Sequence, residues 1–386
     1  MLAGVRGVKV KHDFCYLSNP HATELFLRYF KKDMAKTGKL QRLVEHYPSQ
    51  NRALAEKIAE SPLIKGVPPS SAGRVLQPPT AALSNNPLGQ PLFLRGIKGD
   101  NIFVGNGATE VIQAVMQNFT TKKILVPVPT FSPYLEFAPK GSTVLQHRLL
   151  KENDFRLDTE AFLTQIKKEK PDTVVIINPN NPEGGHLSFA QLQTLLDSLK
   201  NVPTVIVDES FIHFSGRRIE SAGSLVGKYP NLVVIKSLSK DFGIAGLRLG
   251  YAVMSEKRVS ALLERGFLWN VSGFGEYFLD LLNRKEFLKE YEKTRVKAVG
   301  ERDDFFMELS RIKEIKVYPS KANMFLVELL DGTKASDLCV RLLVKHGIYV
   351  RTCYDKVGLT GEFVRIASRT GGENKKFIRA LNSALE

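Results

Sequence analysis

The sequence predicts an α/β fold built on a mainly parallel sheet. Short runs rich in Val and Ile alternate with amphipathic stretches of helical length, such as residues 110–118 and 189–199. Strands separated by helices form parallel sheets that are covered on both faces. The runs occupy residues 102–104, 124–128, 174–177, 205–207, 232–235 and 249–253. We expect ligands to bind just after these runs, because sites on parallel sheets lie at the carboxyl ends of the strands.

The chain length of 386 residues, with 43% hydrophobic content, predicts two domains. We predict a large domain over residues 46–271, and a smaller α+β domain over residues 272–386 that includes the arm and helix of residues 1–45. The smaller domain is expected to contain a charged helical stretch at 274–309, strands at 316–318, 324–327, 348–351 and 363–367, a helix at 335–346 and a last helix. Residues 66–98, rich in Pro and Ser without a period, predict a disordered surface insertion.

The net charge of +15 is compatible with an anionic ligand, a nucleic acid or an anionic surface. We predict no nucleic-acid partner, because the basic residues are scattered and form no compact stripe with interleaved aromatics. No apolar run is long enough to span a membrane. The seven histidines lack metal-ligand spacing, so no metal site is expected. The sparse cysteines, Cys15, Cys339 and Cys353, and the absence of a secretory apolar core predict reduced thiols in the cytoplasm.

A lysine in a loop rich in Ser and Gly follows the run at 232–235. Lys240 can form an imine with an aldehyde cofactor, pyridoxal phosphate (PLP), and is the predicted Schiff-base residue. Ser237, Ser239 and Arg248 would bind the cofactor's phosphate, because hydroxyls and a planar guanidinium suit phosphate oxygens. For this loop alone, a solvated lysine is the alternative.

Two polar residues follow neighbouring runs. Asp208 comes directly after the run at 205–207, where its carboxylate would keep a pyridine nitrogen protonated. Asn181 follows the run at 174–177, where its amide would donate to the cofactor's O3′. Each has an ordinary alternative, since an Asp often caps a turn and Asn-Pro pairs form turns.

Two further runs end in residues that suit the same cofactor. Ala108 and Thr109 begin a predicted helix, whose free N–H groups bind phosphate. The rival interpretation, a dinucleotide-binding fingerprint, fails because Glu110 stands at the position of the third glycine. Phe131 can stack on the pyridine ring, although an isolated aromatic is more often core. Together, the strand-end signals predict a PLP site with Lys240 and Asp208 as catalytic residues.

In this order, the motifs resemble those of the class I/II aminotransferases of PLP fold type I. Within that family the chain is similar to histidinol-phosphate aminotransferase and threonine-phosphate decarboxylase. Further motifs at residues 46–48, 317–323, 347–351 and 363–369 carry the resemblance. It implies a large domain with a mainly parallel sheet between helices, a smaller α+β domain, PLP as cofactor, and a homodimer with active sites at the subunit interface.

The resemblance also implies roles for residues outside the strand ends. Tyr47 would reach the cofactor phosphate of the partner subunit, and Arg365 would bind the α-carboxylate of the substrate. Asn323 matches a position near the substrate, and Asn19, where the resemblance begins, is assigned with it. Arg351 is the candidate for a second anionic group on the substrate.

The chain departs from the transaminating members at two positions. Phe211, assigned to the cofactor, stands where those members usually carry a tyrosine, and Glu183 replaces a threonine. Phe211, Arg369 and residues 351–359 look more like the decarboxylase. We nevertheless predict an aminotransferase acting on a small, phosphorylated amino acid or amine. The alternative is decarboxylation of a phosphorylated amino acid such as phosphothreonine or phosphoserine.

Overall fold

The computed structural model describes residues 9–65, 96–217 and 219–386. The strands are β1 (His12–Asp13), β2 (Ile102–Asn106), β3 (Lys123–Val128), β4 (Thr143–Arg148), β5 (Thr173–Ile177), β6 (Thr204–Asp208), β7 (Leu232–Ser237), β8 (Leu249–Val253), β9 (Ile315–Val317), β10 (Met324–Leu329), β11 (Ile348–Tyr349), β12 (Arg351–Thr352) and β13 (Phe363–Ala367). Most of the predicted insertion at 66–98 lies outside the described residues.

The α-helices of the described residues cover both faces of the large sheet and one side of the small one. They are α1 (Pro20–Met34), α2 (Lys39–Glu45), α3 (Asn51–Glu60), α4 (Pro62–Lys65), α5 (Gly107–Phe119), α6 (Pro133–Glu136), α7 (Thr159–Glu169), α8 (Phe189–Ser198), α9 (Glu256–Leu263), α10 (Gly273–Leu281), α11 (Lys285–Leu309), α12 (Ala335–His346) and α13 (Gly371–Leu385). The predicted stretch at 274–309 is therefore two helices, α10 and α11.

The large sheet has the strand order β2-β8-β7-β6-β5-β3-β4. Strand β8 is antiparallel to both of its neighbours, whereas the other pairs are parallel. The predicted α/β class with a mainly parallel sheet is confirmed. Strand β4 was not predicted, because this edge strand is half-exposed and its sequence, TVLQHR, is not a continuous apolar run.

Alternation within the buried strands explains why the sheet is covered on both faces. In β5, Val174 and Ile176 belong to one core cluster, and Val175 and Ile177 belong to another. Helices α7 and α8 contribute to the first cluster, and α5 and α9 contribute to the second. Each fully buried Val or Ile stabilises the fold by about 1.5–3 kcal/mol.

A second sheet of the described residues is antiparallel, in the order β12-β13-β10-β9, and packs against helices α11, α12 and α13. Strand β1 pairs with β11, so the predicted strand at 348–351 is split between two sheets. Phe14 is buried in this smaller core, whereas α1 packs in the core of the large sheet. The predicted domain boundaries near 46 and 271 stay a prediction.

We looked for helices in the described ranges that could span a membrane. None of their helices combines the length and the apolar composition needed to cross a bilayer.

Candidate active site

A cavity of about 260 Å³ opens at the carboxyl edge of the large sheet. Strands β2, β3, β5, β6 and β7 all end at this edge, because they run in the same direction. The cavity brings together most of the predicted site residues. They are Ala108, Thr109, Phe131, Asn181, Asp208, Phe211, Ser237, Ser239, Lys240, Arg248, Arg351 and Arg365.

One end of the cavity is formed by the start of α5. Gly107 has φ of +79°, and a Cβ there would lie 2.3 Å from an Arg248 guanidinium nitrogen. A Cβ at Gly250 in β8 would lie 2.4 Å from the backbone nitrogen of Ala108. The missing side chains therefore let the helix start pack directly against Arg248 and β8. The N–H groups of Ala108 and Thr109 lie in the first turn, where no helical carbonyl pairs with them.

The loop after β7 completes this end of the cavity. The backbone N–H of Ser239 donates to Ser237 Oγ at 3.3 Å. The Ser239 hydroxyl is buried and finds no hydrogen-bond partner among the described residues. Hydroxyls, free amides and a guanidinium around one space form a site for a phosphate group.

Lys240 lines the same cavity. Burial, together with the positive charges of Arg365 and Arg248, lowers the pKa of its amine to about 8. A lower pKa increases the fraction of neutral amine at neutral pH, and the neutral amine is the form that attacks an aldehyde. The carbonyl of Lys240 accepts a hydrogen bond from the Asn19 N–H at 2.8 Å, which holds the loop against the start of α1.

Asp208 ends strand β6 deep in the cavity. Its carboxylate accepts hydrogen bonds from the Tyr134 hydroxyl at 2.7 Å and from the Ser210 N–H at 2.8 Å. Burial raises the pKa of Asp208, although these hydrogen bonds and the charge of Lys236 oppose the shift. A cationic ring N–H beside the carboxylate would favour its ionised form.

Two arginines from the small sheet also line the cavity. Arg351 and Arg365 are directly opposite each other on β12 and β13. Arg365 is only 7% exposed; it donates to Asn181 Oδ1 at 2.9 Å and to the Cys15 carbonyl at 3.3 Å. Its Nε is buried without a partner in the described ranges. Arg351 pairs with Asp355 at 2.6 Å.

Three predicted residues do not line the cavity. Tyr47 is 83% exposed and its ring centroid lies 5.4 Å from that of Trp269. Asn19 caps α1 by accepting from the N–H groups of the first turn. Asn323 is buried, and its amide atoms have no partner within the described residues.

Some residues of the site were not predicted. Tyr134 follows Phe131 by three positions, and that spacing at a helix start was the available signal for its contact with Asp208. Cys15, Tyr16 and Leu17 line the cavity from the segment between β1 and α1. This segment precedes every strand of the large sheet, so no strand end marked it.

Comparison with known proteins identifies the family. The model of aminotransferase class I and II matches residues 88–381. The chain belongs to this family. An L-serine phosphate decarboxylase from Campylobacter jejuni is 46% identical over 97% of this chain and 88% of its own length. A solved decarboxylase from Sulfurospirillum multivorans is 42% identical, with a TM-score of 0.88, over 100% of this chain and 91% of its own. A histidinol-phosphate aminotransferase from Methanococcus aeolicus is 32% identical over 74% of this chain and 76% of its own.

The cofactor of this class I and II family member is pyridoxal phosphate, as predicted. The residues at the strand ends fit it on three counts. A lysine amine with a lowered pKa shares the cavity with Ser237, Ser239 and Arg248, and the hydroxyl of Ser239 has no partner among the described residues. A buried carboxylate, Asp208, lines the same cavity, and a cationic partner would offset the burial that raises its pKa.

The predicted aminotransferase activity is wrong. The relatives at 46% and 42% identity, which match almost the whole chain, are named decarboxylases, whereas the Methanococcus aeolicus aminotransferase matches at 32% identity over less of it. Decarboxylation, the alternative from the sequence, agrees with these names. The prediction failed because Lys240 and Asp208 serve both reactions equally well. The bond that breaks depends on how the substrate is oriented, and that information is not in the cofactor motifs.

Proposed function

We propose that this protein is an L-serine phosphate decarboxylase that converts O-phospho-L-serine into carbon dioxide and O-phosphoethanolamine. The observation that carries the proposal is the pair of arginines, Arg351 and Arg365, which face each other on neighbouring strands and line the cavity in addition to Arg248. The cofactor uses one phosphate site, and the arginine pair offers a second site for a dianion. The name of the relative that is 46% identical over 97% of this chain, an L-serine phosphate decarboxylase, supports the same substrate.

We assign the cofactor contacts as the sequence predicted them. The phosphate is assigned to Ala108, Thr109, Ser237, Ser239 and Arg248. The ring is assigned to four residues: Phe131 would stack on one face, Asn181 would donate to the ring oxygen, Phe211 would lie nearby, and Asp208 would accept a hydrogen bond from the ring nitrogen. When bound, PLP supplies an electron sink for the charge that is left on the substrate's Cα.

The arginines are assigned to the substrate's phosphate rather than to its carboxylate. A carboxylate held by a bidentate arginine is stabilised in the ground state, and that stabilisation must be lost before it leaves as neutral carbon dioxide. If Arg351 and Arg365 bind the phosphate, the carboxylate is free to leave. Leu17 and Phe211 provide an apolar wall in the cavity, where a charged group is less stable than in water.

Lys240 is assigned to the proton transfer. When the bond between Cα and the carboxylate breaks, its electron pair stays on Cα, neutral carbon dioxide leaves, and Cα needs one proton. The Nζ of Lys240, with a pKa of about 8, is mostly protonated at neutral pH and can deliver a proton to Cα. The result is a phosphorylated primary amine in place of the amino acid.

Substrate comparison tests the proposal. The purified holoenzyme is incubated with O-phospho-L-serine, with L-serine, and with O-phospho-L-serine plus a keto acid, and released carbon dioxide and amines are quantified. We expect stoichiometric carbon dioxide and phosphoethanolamine from the phosphorylated substrate, independent of the keto acid, and negligible turnover of L-serine. Release that does not depend on the phosphate would contradict the role of the arginine pair.

We also propose that two copies of the chain form the active unit. Tyr47 and Trp269 form an exposed aromatic pair outside the cavity, and Val44 and Leu268 beside them in sequence are 69% and 57% exposed. A second copy would cover this apolar surface, and Tyr47 would then reach the partner's cofactor phosphate.

The cytoplasmic location stays a prediction, supported by the three cysteines being free.

Mixing two inactive variants tests the shared site. Lys240→Ala lacks the amine, and Tyr47→Phe lacks the hydroxyl offered to the partner. A mixed dimer contains one site with both groups intact, so mixing should restore cofactor affinity at that site, and light scattering should give the mass of a dimer. A monomer in solution, or variants that do not complement each other, would contradict the proposal.

A further inference from the structure

The turn after β5 is held by a buried asparagine that does not line the cavity. Asn180 is 5% exposed. Its Nδ2 donates to the Pro129 carbonyl at 3.0 Å, and its Oδ1 accepts from Thr130 Oγ1 at 2.9 Å. Pro129 and Thr130 lead into Phe131, and Asn181 follows Asn180 in the chain. One side chain therefore ties the loop of the stacking ring to the residue assigned to the ring oxygen.

The second amide hydrogen of Asn180 points to a buried carboxylate. Asn180 Nδ2 donates to Glu183 Oε2 at 3.1 Å, and the Gly185 N–H donates to Glu183 Oε1 at 3.3 Å. Glu183 is 1% exposed, and burial raises its pKa to about 7. It lines a second cavity of about 190 Å³, and Ile177 lines both this cavity and the active-site cavity.

The same turn packs tightly against the small domain. Gly184 has φ of +78°, and a Cβ there would lie 1.9 Å from Ser320 Oγ. The carbonyl of Gly184 accepts a hydrogen bond from the Lys321 N–H at 2.8 Å. On its other side, Asn181 accepts from Arg365. The turn therefore contacts both groups of residues that we assign to ligands.

We propose that Glu183 is a positioning residue that acts through Asn180. By accepting from Nδ2, Glu183 orients the amide of Asn180 so that it holds the Phe131 loop and Asn181 in register with each other. A buried carboxylate is costly to keep without a partner cation, so its presence in this turn needs a compensating role. The inference rests on the proposed binding of PLP between Phe131 and Asn181, and not on which reaction follows.

Variants at position 183 separate positioning from general stability. Glu183→Gln keeps the size of the side chain and one of its two acceptor oxygens, so it can still accept from Asn180 Nδ2 although not also from the Gly185 N–H. Glu183→Leu has a similar volume but leaves one N–H of Asn180 without its acceptor. Equilibrium dialysis of PLP against the apoprotein measures affinity with no substrate present. We expect affinity to fall about tenfold for the leucine variant and to stay within about twofold for the glutamine variant.

A matched control comes from the other domain. Glu328 is also a buried carboxylate, 7% exposed, and accepts from the Tyr318 hydroxyl at 2.8 Å. Glu328→Gln should lower the melting temperature without changing PLP affinity. If Glu183→Leu also changes only the melting temperature, or if Glu183→Gln loses as much affinity as Glu183→Leu, the positioning role is wrong.

Thr130→Val provides a test from the other side of Asn180 if Glu183→Leu does not fold. This nearly isosteric change removes only the hydroxyl that donates to Asn180 Oδ1. PLP affinity should fall about threefold to tenfold. Where Glu183→Leu does fold, the loss for the double variant Thr130→Val/Glu183→Leu should be smaller than the product of the single losses, because both substitutions act through the Asn180 side chain. Unchanged affinity in Thr130→Val, or independent losses in the double variant, would overturn the proposal. These results do not depend on turnover, so they remain distinct from failure of the proposed decarboxylation.

Discussion

The two ends of the cavity present positive charge in different ways. The residues that we assign to the cofactor phosphate, here called the cofactor end, are the first turn of α5, the loop after β7, and Arg248, which Gly107 allows to approach the helix start. The residues that we assign to the substrate, here called the substrate end, are Arg351 and Arg365 on neighbouring strands of another sheet. The cofactor end depends on close backbone packing, and an added side-chain atom at Gly107 would clash with Arg248. The substrate end depends on long side chains, which can be substituted without moving the cofactor.

Removing Lys240 should have the largest effect, because this residue serves both ends. In Lys240→Ala, kcat/KM for O-phospho-L-serine should fall by at least about a thousandfold, since neither the covalent attachment nor the proton transfer can occur. Steady-state kinetics and the absorption spectrum of the bound cofactor measure the two losses. Lys228→Ala, at an exposed lysine, is the control and should retain activity. If Lys240→Ala retains turnover, the assignment of Lys240 to covalent attachment and proton transfer is wrong.

Gly107→Ala should damage the cofactor end alone. The new Cβ would lie 2.3 Å from the Arg248 guanidinium, and φ of +79° is strained for alanine. We expect PLP affinity to fall at least about tenfold, while KM for the substrate at saturating PLP changes by less than about twofold. Gly246→Ala, where a Cβ meets nothing within 4 Å, is the matched control. If PLP affinity and KM for the substrate both worsen by the same factor, the cofactor end and the substrate end do not act independently.

Arg351→Lys should damage the substrate end alone. Lysine keeps the positive charge but loses the planar pair of donors that fits a phosphate. KM for O-phospho-L-serine should rise about tenfold, and PLP affinity should be unchanged. Kinetics and dialysis on the same preparation provide both values. If the substitution weakens PLP binding as much as it raises KM, the assignment of Arg351 to the substrate is wrong.

The pH dependence of PLP attachment should show the smallest effect. Burial lowers the pKa of Lys240 to about 8, and only the neutral amine attacks the aldehyde. Attachment to the apoprotein should therefore speed up about fivefold from pH 7 to pH 8 and level off above, whereas an ordinary lysine would gain about tenfold per unit. In Arg365→Met, loss of a neighbouring cation should move the midpoint to higher pH. Stopped-flow absorbance follows the rate. A midpoint that stays fixed in this variant would mean that Arg365 does not influence Lys240.

The cofactor end was predictable from the sequence for a physical reason. Lys240, Asp208, Asn181 and Phe131 each follow an apolar run closely, and parallel strands place their carboxyl ends at one edge. The runs themselves were visible because strands buried on both faces are continuously apolar. Strand β4 lacked that signal, since it is half-exposed.

The substrate end was harder to predict because its parts are distant in the chain. Arg351 and Arg365 were assigned from family resemblance, and the cavity brings them together across two short strands. Tyr16 and Leu17 lie hundreds of positions away and follow a strand of two residues. The reaction type could not be predicted either. Lys240 and Asp208 suit cleavage of the Cα–H bond, as in transamination, and cleavage of the bond between Cα and the carboxylate, as in decarboxylation.

Product analysis in deuterium oxide tests the central claim most directly. The holoenzyme is incubated with O-phospho-L-serine in deuterium oxide, and the products are followed by proton and carbon magnetic resonance. We expect one carbon dioxide for each phosphoethanolamine, with a single deuterium on the carbon that carried the carboxylate, delivered from the Lys240 amine. Formation of a phosphorylated keto acid with no carbon dioxide would contradict the account.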